Sequence, residues 1–218
     1  MFVKSTFKEQ AYEYLLNLII NNHLESSKVY SERYFAEIMG ISRTPVREAL
    51  LQLQREGYII IQSNKGIKVR EISQSEIAEI IQMRIAIEGF CAVYASEKVN
   101  TDKWQDLCSN LDHFLAIEEE MLGKENIQEE FIKNDLSFHL AVIDFCGNSK
   151  MKEALVNLRN QINRIGLQSL YKEERINQTH KEHLKIYEAI KSGNQRKAYL
   201  SIKGHLTSCE EILKTTDK

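Results

Sequence analysis

Proline, the residue that interrupts helices most strongly, occurs only once in the 218 residues, at position 45. Its ring removes a backbone donor and breaks helix interiors, so a chain that nearly lacks proline can form long helices. The nine glycines are also few, which leaves most helical runs uninterrupted. The sequence therefore predicts a mostly α fold, and it makes the surroundings of Pro45 informative.

The residues around Pro45 read ISRTPVREALLQLQREG, and they predict a helix that ends at Gly57. Ser42 is expected to cap this helix. Proline is tolerated in a first helical turn because its missing donor would have no acceptor there. Four apolar side chains at helical spacing are expected to form its buried stripe: Val46, Ala49, Leu50 and Leu53.

Two shorter helices precede this segment and a β-hairpin follows it. Apolar residues at helical spacing predict a first helix over 7–22, and Ser31 and Gly40 are suited to cap and to end a second one. After Gly57, the β-branched run YIIIQ, the turn SNKG and the run IKVR predict two strands. Three helices and a hairpin form a winged helix-turn-helix, whose third helix can enter the DNA major groove.

Charge is distributed unevenly along the chain. The net charge is −2, but residues 1–70 carry ten Lys and Arg against seven Asp and Glu, whereas the remainder carries nineteen against twenty-four. A basic N-terminal part suits a polyanionic partner such as DNA.

Several of these basic residues lie where a winged helix-turn-helix contacts DNA. Arg43 and Thr44 begin the third helix and Arg47 follows one turn later, so that the two arginines can bind guanine or phosphate. Lys65 at the wing and Arg33 on the second helix would add phosphate contacts. For any isolated arginine, a solvated helix face is the simpler interpretation.

The stretch SERYFAEIMGISRTPVREALLQLQREGYIIIQSNKGIKV closely resembles the DNA-binding half of the GntR family of bacterial regulators. The match includes SRTPVREAL, the pair EG and the wing NKG. It departs at HLESSKVY, where the family usually has a Pro-Gly turn. The resemblance implies double-stranded operator DNA as a partner, contacted at positions Arg33, Arg43, Thr44, Arg47 and Gly66.

From Ile72 onward, apolar periodicity predicts a series of helices separated by short breaks. Their expected ranges are 73–98, 102–122, 126–146, 149–170, 175–192 and 194–214. Connections this short favour antiparallel neighbours in a compact bundle. The sequence thus predicts two domains: a winged helix-turn-helix over 1–71, and an all-α antiparallel helical bundle over 72–218.

The segment NDLSFHLAVIDFCGN places Asp135 and His139 four residues apart, on one face of a helix, where they can share a ligand. His183 and His205 lie on later predicted helices. One carboxylate and three imidazoles are an ordinary ligand set for Zn, Mn, Ni or Fe. Hydrogen-bonded core histidines are the alternative, and the spacing leaves both interpretations open.

The segments EIIQMRIAIEGFCA, DLSFH, EHLKIYEAIKSGN and the late GH resemble the FadR-type subgroup of the GntR family, whose effector-binding domain is called FCD. That resemblance implies a divalent metal ion with four ligands: Asp135, His139, His183 and His205. His180 does not match the pattern. The resemblance also implies that Arg84 lies near the effector cavity, where a carboxylate would bridge arginine and metal. Glu88, one turn after Arg84, is the alternative partner of this guanidinium.

The leading hypothesis is a cytoplasmic, homodimeric transcriptional regulator whose operator binding is modulated by a small carboxylate metabolite. Two winged heads can read a pseudo-palindrome, whereas one buries little surface. No apolar run is long enough to predict a membrane segment, and four scattered cysteines predict reduced thiols. The alternatives are a metalloenzyme and a purely structural metal site. Neither HExxH nor a phosphate-binding glycine loop supports the enzyme.

Overall fold

The computed structural model describes residues 6–20, 23–63, 65–172 and 174–214. The chain divides into two compact units, Met1–Ile72 and Ser73–Lys218. In the described ranges the first unit has three helices and a two-stranded sheet, and the second is entirely helical. The predicted fold class is confirmed. None of the described helices is long and apolar enough to span a membrane.

The elements of the first unit follow the predicted order. They are helices α1 (Phe7–Ile20), α2 (Glu32–Met39) and α3 (Arg43–Arg55), and strands β1 (Ile59–Gln62) and β2 (Gly66–Val69). Ser31 caps α2 by accepting a hydrogen bond from the Tyr34 amide at 3.1 Å, and Gly40 ends it in the left-handed region with φ 64°. The predicted end of α1 at Asn22 lies outside the described residues.

Helix α3 contacts both α1 and α2. The predicted stripe is confirmed, because its four apolar side chains are all buried: Val46, Ala49, Leu50 and Leu53. Burying a side chain of this kind stabilises a fold by about 1.5–3 kcal/mol for the larger members. Ser42 occupies the expected N-cap position with an extended backbone, but its hydroxyl makes no capping hydrogen bond.

The hairpin pairs β1 with β2 in antiparallel register, from Ile59 opposite Val69 to Gln62 opposite Gly66. Tyr30 extends it by exchanging two backbone hydrogen bonds of 2.8 Å with Ile67. Gly66 has φ 129°, and a Cβ atom there would lie 2.3 Å from the Tyr30 carbonyl oxygen. The close approach of Tyr30 therefore requires glycine at this position. Asn64, in the predicted turn, lies outside the described residues.

The second unit carries seven helices within the described ranges: α4 (Gln74–Glu97), α5 (Asp102–Met121), α6 (Gln128–Cys146), α7 (Ser149–Asn157), α8 (Arg159–Leu170), α9 (Arg175–Lys191) and α10 (Gln195–Lys214). Ser73 caps α4 and Thr101 caps α5 through their hydroxyl oxygens. Helix α4 contacts α6, α9 and α10, and α6 also contacts α5 and α8. Helices α4, α6, α9 and α10 therefore surround the interior in which the candidate ligands lie.

The helix predicted over 149–170 is in fact two helices, α7 and α8, which is a correction to the sequence analysis. They meet at Leu158, whose amide donates to the Leu155 carbonyl oxygen at 3.1 Å and whose φ and ψ are −91° and 0°. This hydrogen bond spans three residues instead of the four of an α-helix, and α8 begins after it. Neither glycine nor proline marks the break, and the apolar pattern of the sequence continues through it, so the sequence predicts one helix.

Candidate metal centre and nucleic-acid interface

The four predicted metal ligands lie together in the interior of the second unit. Asp135 and His139 come from α6, His183 from α9 and His205 from α10. One donor atom of each residue lies within 4.8 Å of the others, and all four side chains are buried. The fold thus brings two residues one turn apart on α6 together with two residues that are remote from them in sequence.

Each of the three imidazoles has its Nδ1 atom against a separate glutamate carboxylate. The pairs are His183 with Glu118 Oε1 at 2.7 Å, His205 with Glu182 Oε2 at 2.8 Å, and His139 with Glu88 Oε2 at 2.8 Å. The last of these is a close contact without a regular hydrogen bond at His139 Nδ1. Histidines that bind metals usually donate their other ring N–H to such a group, which fixes the tautomer and the ring orientation.

Two of these glutamates are held by buried arginines. Arg84 Nε lies 2.5 Å from Glu88 Oε1, and its Nη2 is 3.4 Å from Oε2. Arg175 binds Glu182 through two nitrogens, at 2.9 Å and 3.0 Å. Although burial raises the pKa of a carboxyl group, the arginine and histidine partners lower the pKa of both Glu88 and Glu182 to about 2. Both glutamates are therefore ionised acceptors at neutral pH.

The third glutamate, Glu118, connects α5 to two turns of α9. It receives His183 on Oε1 and His180 Nδ1 on Oε2 at 3.1 Å. Asn134 Nδ2 lies 3.4 Å from Oε1. His180 therefore contacts a carboxylate that supports the cluster and is not itself among the four converging donors.

The Nε2 atoms point into the space between the four residues. His139 Nε2 lies 3.2 Å from His205 Nε2, and His183 Nε2 lies 3.3 Å from Asp135 Oδ1. Among the described residues, the buried Nε2 of His183 has no hydrogen-bond partner. In a neutral imidazole whose Nδ1 donates to a glutamate, Nε2 carries a lone pair. Three such nitrogens and one carboxylate facing one another attract a cation, so the donor set fits a metal ion.

A proton is the natural competitor of a metal ion here. Burial disfavours the charged form of His183, but Glu118 and Asp135 outweigh it and raise the pKa of this histidine to about 10. Burial lowers the pKa of His205 to about 3, and the neighbouring imidazoles add to this shift. Burial would raise the pKa of Asp135, yet the three imidazoles hold it well below its usual value. The cluster attracts positive charge.

The residues predicted to read DNA begin α3, as expected from the sequence. Arg43 and Thr44 lie in its first turn and Arg47 one turn later. The arginine side chains are more than half exposed and converge on one carboxylate: Arg43 Nη2 lies 3.2 Å and Arg47 Nη2 2.9 Å from Glu32 Oε2. The two guanidinium groups are thus held side by side at the N-terminus of α3.

The remaining predicted DNA contacts lie on α2 and on the hairpin. Arg33 is exposed and binds Glu37 on the same helix at 2.6 Å. Lys65 is exposed at the turn and Gly66 begins β2. The family resemblance implies that Gly66 contacts DNA, and Tyr30 adds a second constraint on this glycine within the protein.

Family comparisons agree with both halves of this description. Residues 7–69 match the profile of the bacterial regulatory proteins of the gntR family, and residues 79–208 match that of the FCD domain. The chain belongs to the GntR family, in the group with an FCD domain. This assignment confirms the resemblance seen in the sequence. The relatives of this GntR protein are regulators of transcription, not enzymes.

Curated relatives span nearly the whole regulator. It is 24% identical over 204 residues to the uncharacterized HTH-type transcriptional regulator YdhC of Bacillus subtilis, covering 93% of this chain and 89% of that protein. It is 26% identical over 224 residues to LutR of the same organism, covering 90% and 96%. Both similarities include the DNA-binding unit and the FCD unit.

Solved structures share the fold. The Listeria monocytogenes regulator Lar superposes with a TM-score of 0.66 at 17% identity, covering 99% of this chain and 100% of that one. A GntR regulator from Rhodococcus sp. RHA1 gives 0.64 at 18% identity, covering 98% and 100%. The metal-free FCD domain of TM0439 gives 0.50 at 22% identity, covering 67% and 99%.

Two of the supporting glutamates of the FCD unit, Glu118 and Glu182, were not predicted from the sequence, and Glu88 was expected only as a partner of Arg84. A signal for Glu118 was present, because it continues the buried positions Leu111 and Leu115 of α5, where a carboxylate needs a buried partner. No comparable signal marks Glu182, since its position on α9 is only partly buried.

Proposed function

We propose that this GntR regulator holds a divalent metal ion in its FCD unit and that a small carboxylate metabolite bound there changes its affinity for operator DNA. The proposed ligands are Asp135, His139, His183 and His205. The observation that carries the proposal is the convergence of imidazole Nε2 atoms and one carboxylate in a buried space. The name of the metal-free FCD domain of TM0439 supports it, since it distinguishes that form from a metal-bound one.

The donor set suits Zn, Ni, Mn or Fe, which accept mixed imidazole and carboxylate ligands. When bound, such an ion supplies positive charge and an open coordination position for an anionic effector. The protein residues do the remaining work. The three glutamates orient the imidazoles, and burial keeps water from competing with a bound carboxylate.

Arg84 is the proposed second anchor of the effector. Its Nε binds Glu88, but its Nη2 is 3.4 Å from the same carboxylate. Neither contact with Glu88 uses Nη1. Arginine presents its donors in a planar fork that fits a carboxylate. Arg84 is therefore able to keep Glu88 and still donate to an anion.

The DNA-binding unit supplies the output of the regulator. We place the operator contacts on six residues of α2, α3 and the hairpin: Arg33, Arg43, Thr44, Arg47, Lys65 and Gly66. A homodimer would present two such units to a pseudo-palindromic operator, as winged domains commonly require. Operator DNA as the partner makes the cytoplasm the site of action.

The proposal is tested by selecting operator DNA from random sequence and measuring its dissociation constant with metal-loaded protein. A panel of small carboxylates is added, with the matching amides as controls. We expect one carboxylate to change the dissociation constant by about 5- to 150-fold, the usual range of allosteric coupling. The His183→Ala variant should lose this response.

Two outcomes would contradict the proposal. If no carboxylate and no chelator changes the dissociation constant for operator DNA, the FCD unit does not act as a sensor. A melting temperature that a chelator lowers, combined with indifference to all metabolites, would assign the metal a purely structural role.

A further inference from the structure

The three imidazoles of the metal centre are enclosed to different degrees. His183 stacks on Phe138, with ring centroids 4.4 Å apart, and its partner Glu118 is fully buried. The side chain of Glu182, the partner of His205, is 12% exposed. The only ring contacts of His205 in the described part of the chain are with the other two imidazoles. His205 is the most exposed of the three imidazoles.

A surface groove between α9 and α10 reaches this ligand. It has a volume of about 760 Å³ and is lined by Glu182 and His205. Small side chains keep it wide, including Ala189 on α9 and Ser201 on α10. At Gly204, next to His205, an added Cβ would meet no atom within 4 Å.

We propose that the groove between α9 and α10 is the route by which the metal ion reaches and leaves the centre, and that His205 is the ligand that swings aside. This inference rests on the proposed metal function. Rotation of His205 toward the groove breaks its contact with Glu182. Rotation of His183 would instead displace Phe138 and remove the 2.7 Å contact of its Nδ1 with the fully buried Glu118 Oε1, which is costly.

The groove gives the metal ion physical access to the centre and does not attract it from a distance. Two acidic residues, Glu182 and Glu188, line it together with two basic residues, Lys185 and Lys197, so their charges balance. At close range, the Glu182 carboxylate is a ligand for an arriving divalent ion. Arg175 holds this carboxylate in place while His205 moves.

The test is to narrow the groove without changing a ligand. Gly204→Leu fills open space on α10, and Zn²⁺ loading and removal are then followed by stopped flow with a colorimetric chelator. We expect both rates to fall by about tenfold, which adds about 1.4 kcal/mol to the barrier in each direction. The equilibrium dissociation constant for Zn²⁺ should stay within about twofold of the wild-type value, because the barrier rises equally from both sides.

Matched variants make the outcome decisive. Lys203→Leu places the same leucine side chain at an exposed neighbouring position that does not line the groove. This variant should exchange Zn²⁺ at the wild-type rates. Ser201→Leu narrows the same groove from one turn away and replaces Gly204→Leu if that variant does not fold.

Wild-type exchange rates in the groove variants would overturn the inference. A changed dissociation constant with only one altered rate would also overturn it, because the substitution would then act on the ligands. If the wild-type protein binds Zn²⁺ but the groove variants exchange it at the wild-type rates, only the access route is refuted and the proposed metal site remains. A wild-type protein that binds no divalent ion contradicts both.

Discussion

The Nδ1 atom of His183 lies 2.7 Å from Oε1 of Glu118, and neither side chain is exposed to solvent. Because the other Glu118 oxygen contacts His180, one carboxylate on α5 holds two turns of α9 in position. The contact through Nδ1 leaves Nε2 of His183 facing Asp135 Oδ1 at 3.3 Å. Glu118 thus positions His183 for the proposed metal ion, although Glu118 itself does not face the space between the four ligands.

Replacement of Glu118 should therefore weaken metal binding. Groups that orient a metal-binding histidine typically contribute 10- to 100-fold to affinity. We expect Glu118→Ala to raise the dissociation constant for Zn²⁺ by about that factor, measured by competition with a chelator. Glu119→Gln, at the exposed neighbouring position, is the matched control. Wild-type affinity in Glu118→Ala would show that the glutamate does not position His183.

Removal of the metal should destabilise the FCD unit. An ion present at 100 times its dissociation constant stabilises the state that binds it by about 2.7 kcal/mol. A chelator should therefore lower the melting temperature of the wild-type protein and leave that of His183→Ala almost unchanged. Equal shifts in the two proteins would mean that the chelator acts elsewhere.

The sequence predicted the candidate ligands more completely than their support. Asp135 and His139 followed from one helical turn, and His183 and His205 from the family pattern. The contact between Glu182 and His205 joins α9 to α10 and depends on how the helices pack. Periodicity within one helix does not carry that information.

Local residue types explain both the helix ends that were predicted correctly and the one break that was missed. Caps such as Ser31, and glycines such as Gly40 and Gly147, mark helix ends because each has a specific local role. The break at Leu158 was missed because leucine is a good helix former and neither glycine nor proline stands beside it.

Loss of one arginine at the start of α3 should reduce sequence-specific DNA binding. A bidentate contact to a base contributes about 1–3 kcal/mol of discrimination. We expect Arg43→Ala to weaken binding to the selected operator more than to scrambled DNA, measured by fluorescence anisotropy at fixed salt. Arg55→Ala, at the other end of the same helix, should change both affinities little. Equal losses for the two DNAs would make Arg43 a phosphate contact.

A methyl group at Gly66 should destabilise the hairpin. Its Cβ would lie 2.3 Å from the Tyr30 carbonyl oxygen, at a φ that side chains rarely adopt. We expect Gly66→Ala to cost about 1–3 kcal/mol and to speed hydrogen exchange of the β1 and β2 amides. Gly204→Ala is the matched control, because alanine in open space on a helix stabilises it by about 0.5–1 kcal/mol. Unchanged exchange in Gly66→Ala would refute the requirement imposed by Tyr30.

The central claim is that Asp135 and the three buried imidazoles hold one divalent metal ion. Native mass spectrometry of the purified regulator, with X-ray absorption at the metal edge, tests it most directly. We expect one ion per chain, bound mainly by imidazole nitrogen, and its loss in His183→Ala. A protein that retains no ion after dialysis against Zn²⁺, Ni²⁺, Mn²⁺ and Fe²⁺ in turn, with a proton on His183 instead, would contradict the claim.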